Sequence, residues 1–390
     1  MTHPTLIIGA GLAGWSTARE LRKLDAHRAL HLISADAADF YAKPSLSNAF
    51  AQRRSPAQLV STAAQKMADT LGLTLHAHCQ VLGIDPLARS VQTTQGEWPY
   101  SELVLATGAQ PIRLPLAGDA AEQVLSVNSL SDFATFHARL TEAGAAPTQQ
   151  HIVIMGAGLI GCEFANDLAG AGYQVTVVDP SASPIAALLP EAVGAELRTA
   201  LATLGVRWQL GATVQAVNYA SSGAGAPALQ VTLSNALVLG ADVVLSAVGL
   251  RPNTTLAQAA GLACERGVLV DARLQTSAEH IYALGDGVQY ASADNRTLPY
   301  VMPIMHAAKA LAATLAGTPT EVLFPLMPVA IKTPALPLVV APAPPGAVGV
   351  WQLQEPGVWQ FIDPSGRPRG FVLVGAQTAR RAEQARQISA

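Results

Sequence analysis

Residues 156–164 read GAGLIGCEF, and residues 9–14 read GAGLAG. Both contain Gly-x-Gly-x-x-Gly. Around the earlier copy, TLIIG is a short apolar strand, WSTARELRKL has helical spacing and ALHLISAD is a second strand. Around the later one, HIVIMG, LIGCEFANDLAGAG and QVTVVD repeat that order. Each motif therefore sits inside a β-α-β unit. The pattern has a steric cause. The first glycine permits a tight turn, the second lets backbone approach a pyrophosphate, and the third lets helix pack closely on strand. The amides at the helix start then face the phosphates. A lone motif is weak evidence, but two copies, each in its own unit, predict two Rossmann-like dinucleotide-binding domains. The candidate cradles are Gly9, Ala10, Gly11, Leu12, Ala13 and Gly14 in one, and Gly156, Gly158, Leu159, Ile160 and Gly161 in the other.

The residue that closes the second strand of each unit chooses the nucleotide. QVTVVD ends at Asp179, about 20 residues past its motif, where a carboxylate accepts ribose hydroxyls. A carboxylate there also repels a 2′-phosphate, and no arginine follows closely, so NAD is preferred over NADP. The other unit ends Ser34-Ala35-Asp36, with a serine where an acid is usual. Ribose and adenine are expected to meet Ser34, Ala35 and Asp36.

Composition sets the outer limits. The 390 residues are 50% hydrophobic and 13% charged, which suits a compact enzyme of two or three domains and argues against disorder. A net charge of −3 predicts no nucleic-acid partner. Cys79, Cys162 and Cys264 are far apart and form no Cys-x-x-Cys, so neither a redox dithiol nor a metal site is indicated. Few cysteines, and a chain that enters TLIIGAGLAG without a leader pattern, point to the cytoplasm. The apolar stretch FPLMPVAIKTPALPLVVAPAPPGAVGVW is cut by Lys332 and seven prolines, and no membrane anchor is expected.

Four further segments resemble parts of a cofactor site. LVLATGAQP carries Ala106, Thr107 and Gly108 at the end of an apolar strand, and VVLSAVGLRPNT repeats that form with Gly249. IYALGDGVQ runs into Gly285-Asp286, where the carboxylate suits a ribityl hydroxyl. After it, YVMPIMHAAKALAATLAG begins a helix near Pro303, whose N-terminus favours negative charge.

Together these motifs resemble the two-dinucleotide-fold flavoprotein reductases of the glutathione reductase class, over about residues 1–320. The resemblance implies tightly bound, non-covalent FAD in the first cradle and NADH as substrate in the second. FYAKPSLS, GLIGCEFANDL, SAVGLRP, IYALGDG, YVMPIM and MPVAIKTPALPLVV look more closely like the rubredoxin reductases within that class. That implies an electron transferase serving rubredoxin or a similar small iron carrier. Reductases of flavorubredoxin or of an oxygenase ferredoxin, and redox sensors like apoptosis-inducing factor, are the alternatives. One departure is GDGVQ, where Gly287 stands in place of a cysteine or similar small residue.

The class divides by what takes electrons from the flavin. The region where disulfide reductases carry a cysteine pair reads YAKPSLSNAF here, so electrons are expected to leave the flavin directly. By resemblance, Lys43 and Glu163 form a catalytic pair at the flavin N5 edge, with Pro44 beside them. Lys332 reaches the flavin from the C-terminal domain, and Val81 and Val301 make backbone contacts to its two ends. Plainer readings stand beside these: Glu163 as a solvated helix-start acid, Lys332 as an exposed lysine between prolines, and Val81 and Val301 as core. Cys79 is expected on the strand LHAHCQVLGI, and Cys162 at a helix start.

The fold class is α/β: two Rossmann-like domains plus a small α+β C-terminal domain. The expected division is an FAD domain (1–112 and 246–320), an NAD domain (113–245) and a C-terminal domain (321–390). TEAGAAPTQQ reads as a linker, SSGAGAP as a hairpin loop and APAPPGAVG as a proline-rich loop.

Overall fold

The computed structural model describes residues 3–141, 144, 146–220 and 228–389. The expected hairpin loop SSGAGAP, 221–227, and part of the linker TEAGAAPTQQ lie outside the described residues. The chain divides into two compact units. One comprises Met1–Ala42, Val60–Gln110 and Leu250–Pro325, and the other Lys43–Leu59, Pro111–Gly249 and Leu326–Ala390.

In the first unit, five parallel strands run in the order Ile281–Ala283, Glu102–Leu105, Thr5–Ile8, Leu30–Ile33 and Thr74–His76. Thr5, Leu6, Ile7 and Ile8 are all buried, as a strand covered on both faces requires. The helix Leu12–Leu24 leaves the central strand and packs beside the helix Val301–Leu315, where Ser16 Oγ meets Met305 Sδ at 3.4 Å. Pro303 is the third residue of that second helix, in the first turn, where no amide is needed.

In the second unit, four parallel strands run in the order Arg207–Leu210, Gln174–Asp179, His151–Met155 and Val243–Ser246. The helix Leu159–Gly170 leaves His151–Met155 and is buried on nearly every side. Residues from 326 onward add a five-stranded antiparallel sheet, ordered Val329–Ile331, Leu338–Ala341, Pro368–Val374, Val358–Ile362 and Val350–Glu355. The helix Arg381–Ser389 closes its core, in which Phe371, Leu373 and Val339 are buried. APAPPGAVG is the loop between the second and third of those strands in sequence.

Lys43–Leu59 differs from the expected division, which placed it with the FAD domain. It belongs to the second unit for two reasons. The carboxylate of Asp167 accepts the amides of Ala49, Phe50 and Ala51 at 2.8 to 2.9 Å. Phe50 also buries its ring among Phe133, Phe136, His137 and Tyr173, with centroids 5.4 to 5.8 Å away. Burying such a ring contributes about 2 kcal/mol.

Candidate functional site

The two glycine turns are built alike, bond for bond. The Gly9 amide donates to Ile33 O at 2.8 Å, and the Gly156 amide donates to Val178 O at 2.8 Å. Gly9 has φ +110°, and a Cβ there would lie 2.3 Å from Ala106 O. Gly156 has φ +103°, with Ala247 O at 2.6 Å from the equivalent position. A Cβ on Gly14 or Gly161 would meet the carbonyl of Gly9 or Gly156 at 1.8 or 1.9 Å. The middle glycines behave differently. A Cβ on Gly11 or Gly158 would have no protein atom within 4 Å. Each is the N-cap of its helix and makes no side-chain cap. Space in front of uncapped helix amides fits a pyrophosphate, so both turns fit dinucleotides.

The neighbours of the first turn come from the same unit. Ala106 donates its amide to Ile8 O at 2.8 Å, Thr107 Oγ1 donates to Asn253 O at 3.1 Å, and Gly108 O accepts the Asn253 amide at 2.9 Å. Tyr290 OH takes the Gly285 amide at 2.7 Å, and a Cβ on Gly285 would stand 3.2 Å from that of Ala13. The packing of Gly285 on Ala13 brings Asp286 beside the cradle. Gly287 has a steric reason: a Cβ there would approach Gly108 O to 2.7 Å, so a cysteine would require the backbone to shift. Val81 opens a strand two residues after Cys79, whose amide bonds Ser34 O at 2.8 Å, and Val301 opens its helix, 41% exposed.

The ribose ends of the two units differ. Ser34 and Asp179 hold equivalent places, each following the residue whose carbonyl takes the first glycine amide. Asp179 Oδ2 accepts the Ala157 amide at 2.6 Å, and Oδ1 accepts the Ser181 amide at 2.7 Å. These bonds fix the carboxylate and leave lone pairs for ribose hydroxyls. Ser34 Oγ donates to Asp36 Oδ1 at 2.6 Å, and that oxygen also accepts the Ala38 amide at 2.9 Å. With its proton committed, the serine hydroxyl presents lone pairs, and the exposed Asp36 supplies the charge.

Glu163 is fully buried. Its Oε2 accepts Ser47 Oγ at 2.6 Å and pairs with the Lys332 ammonium, and its Oε1 accepts the Lys332 amide at 2.9 Å. The solvated helix-start reading is therefore excluded. The carboxylate makes an ion pair with Lys332, the lysine expected to reach the flavin from the C-terminal domain. Lys43 opens the 3₁₀ helix Lys43–Asn48, and it is Ser47, near the other end of that helix, that reaches the carboxylate. Backbone and side chain of Lys332 together satisfy both oxygens, as a buried carboxylate requires. Lys43, Pro44 and Lys332 all belong to the second unit.

Three residues at this site were not singled out from sequence: Ser47, Asn166 and Asp167. Asn166 Oδ1 accepts the Ala335 amide at 3.0 Å. Asp167 is 1% exposed, and burial raises its pKa while the Ala51, Phe50 and Ala49 amides pull it back down. A signal existed. Positions 163, 166 and 167 are polar at i, i+3 and i+4 in an otherwise apolar helix.

Cys162 is fully buried, with its thiol 3.4 Å from Ala157 O. Burial, reinforced by the Asp179 and Glu163 carboxylates, pushes its pKa far above the usual thiol value, so the helix start does not activate it. Cys79 is also buried, in the connection after Thr74–His76 rather than on a strand. Among the described residues no group of three or more His, Cys, Asp or Glu is placed to hold a metal. No helix among them is long and apolar enough to cross a membrane.

The family described as pyridine nucleotide-disulphide oxidoreductase matches residues 3–313. The chain belongs to that family. As a pyridine nucleotide-disulphide oxidoreductase it carries a further match over residues 321–388, to a family described as rubredoxin binding C-terminal domain. It is 43% identical to the rubredoxin-NAD(+) reductase of Acinetobacter baylyi, over 97% of this chain and 96% of that one. It is 40% identical to the nitric oxide reductase FlRd-NAD(+) reductase of Aeromonas hydrophila, over 100% and 97% of the two chains. Its fold matches the crystal structure of a covalent putidaredoxin reductase–putidaredoxin complex with a TM-score of 0.86 at 24% identity, over 99% and 92% of the chains.

Proposed function

We propose that this pyridine nucleotide-disulphide oxidoreductase is an NADH-dependent flavoprotein that reduces rubredoxin or a similar small iron carrier. The observation that supports it most is the rubredoxin-binding match over residues 321–388, on a chain 43% identical to a rubredoxin-NAD(+) reductase along nearly its full length. The buried thiols of Cys79 and Cys162 favour an acceptor that needs no cysteine on the reductase.

When bound, FAD would supply the redox chemistry, converting hydride equivalents from NADH into two single electrons and a proton. The residues of the chain bind and orient. Gly9 to Gly14, Ser34 to Asp36, Ala106 to Gly108, Gly285 and Asp286 hold FAD, with Val81 and Val301 at its ends. Gly156 to Gly161 and Gly249 hold NADH, and Asp179 takes its ribose and rejects a 2′-phosphate. Lys43 and Glu163 act at the reacting centre, with Pro44 and Lys332 supporting them. The domains in this reading are FAD-binding (1–112 and 246–320, apart from residues 43–59), NAD-binding (113–245) and carrier-binding (321–390). Within 321–390, Lys332 and five arginines outnumber four acidic residues, in a chain whose net charge is −3. That local basic bias suits an acidic carrier. Three free cysteines suit a cytoplasmic enzyme.

The test is anaerobic turnover of NADH with a panel of carriers. Rubredoxin should be reduced fastest. No reduction of any rubredoxin, with good turnover of a ferredoxin, sinks the assignment. The 40% identity to a flavorubredoxin reductase favours a second reading, tested by adding flavorubredoxin to the same panel.

A further inference from the structure

Glu163 draws its donors from two segments far from it in sequence. Ser47 lies 116 residues before it and Lys332 lies 169 residues after it. Each segment is tied again to the same helix, one turn further along. Asp167 takes the amides of Ala49, Phe50 and Ala51, just past Ser47. Asn166 takes the amide of Ala335, just past Lys332. Residues at i, i+3 and i+4 share one helix face, so the three polar side chains form a single stripe. At its N-terminal end the stripe holds Glu163 and its charge partner, and at the other end it holds the two backbones that deliver Ser47 and Lys332.

We propose that Asp167 and Asn166 are positioning residues for Glu163, one for each side of its carboxylate. The hydrogen bonds to Glu163 tolerate only a few tenths of an ångström. The Ser47 hydroxyl and the Lys332 ammonium converge on the same oxygen, so a shift of either segment breaks the arrangement. A single tie per segment would hold the fold. A tie placed just past each donor fixes where that donor points. The stripe leaves the NADH end of the helix untouched, because Gly158 and Asp179 bond elsewhere. The consequence for catalysis rests on the proposed function.

The experiment uses FAD-loaded full-length enzyme. Asp167→Asn keeps the shape but replaces one acceptor by a donor. It should slow flavin reduction by NADH about tenfold while the KM for NADH stays within about twofold. Asn166→Ala, which loses one neutral hydrogen bond, should slow it about threefold. In a Glu163→Gln background the Asp167→Asn loss should largely disappear, because residues acting through one network are not additive. Amide hydrogen exchange gives a readout independent of turnover. In Asp167→Asn the Lys332 amide, on the opposite segment, should lose protection along with residues 49–51. Folded variants that reduce flavin at the wild-type rate overturn the proposal. So do losses that multiply fully with Glu163→Gln, or exchange confined to residues 49–51. A wild-type enzyme that NADH does not reduce defeats the functional reading instead, and the Lys332 exchange still decides the positioning.

Discussion

Lys332 meets Glu163 with both its backbone amide and its ammonium, and the two are exposed unequally. The glutamate side chain is 0% exposed and the lysine side chain 30%. The two halves of the pair therefore differ in what their removal leaves behind. Lys332→Ala strands a carboxylate that has no water to replace the cation. It should destabilise the fold by about 3 kcal/mol. Glu163→Gln leaves an ammonium that can turn to solvent and an amide that still accepts. It should cost about 1 kcal/mol. Urea unfolding of both variants decides the order, and equal losses would mean that solvent reaches the carboxylate.

Glycines in one turn should fail in different ways. Gly161→Ala drives a Cβ to 1.9 Å from a carbonyl, and it should give little folded protein. Gly158→Ala adds a methyl with no protein atom within 4 Å, so it should melt as wild type does. The methyl instead occupies the approach of the pyrophosphate. NADH affinity should fall about tenfold or more, with FAD content unchanged. Calorimetric titration with NADH on the FAD-loaded variant checks both halves, and normal affinity would remove the pyrophosphate from that turn.

The same contrast explains what the sequence could tell. Gly9, Gly14, Gly156 and Gly161 answer to carbonyls within their own β-α-β units or at the neighbouring strand of the sheet, so spacing alone revealed both turns. Asp179 was legible for the same reason. The network on the Leu159–Gly170 helix was not. Its partners lie more than a hundred residues away on either side, and no local pattern says which lysine arrives. Lys43 was the lysine singled out for Glu163, and the approach of Lys332 depends on where the residues after Val329–Ile331 pass the helix. Asp167 was visible only as a polar residue in an apolar helix, a mark that an exposed acid also leaves.

Thiol chemistry should be silent at the cradles. Burial and two neighbouring carboxylates hold the Cys162 thiol protonated, and Cys79 is buried too. Of the three cysteines only Cys264 is partly exposed. A thiol-specific alkylating reagent at pH 8 should label Cys264 at most, and NADH-driven carrier reduction should continue. Mass spectrometry of the labelled protein checks it. Rapid label on Cys162 with loss of turnover would restore a thiol to the mechanism.

Stability should fall between pH 7 and pH 5, and His76 should carry part of the fall. His31 and His76 lie on neighbouring parallel strands with ring nitrogens 3.1 Å apart, and Trp98 covers His76 at a centroid distance of 4.0 Å. Burial lowers both pKa values from the usual 6.5, and the charge of His31 lowers that of His76 further. As pH drops below 6.5 the unfolded chain takes up these protons first. The unfolded state then binds more protons than the folded one, and stability declines with falling pH. Asp167 works in the opposite sense, because burial raises its pKa and the folded chain gains its proton first. The histidine contribution is therefore read by difference. The urea midpoint of the wild-type protein should fall more steeply from pH 7 to pH 5 than that of His76→Gln, whose amide keeps a hydrogen bond to His31 without titrating. Identical slopes would mean that both rings reach solvent freely enough to be protonated in the folded state.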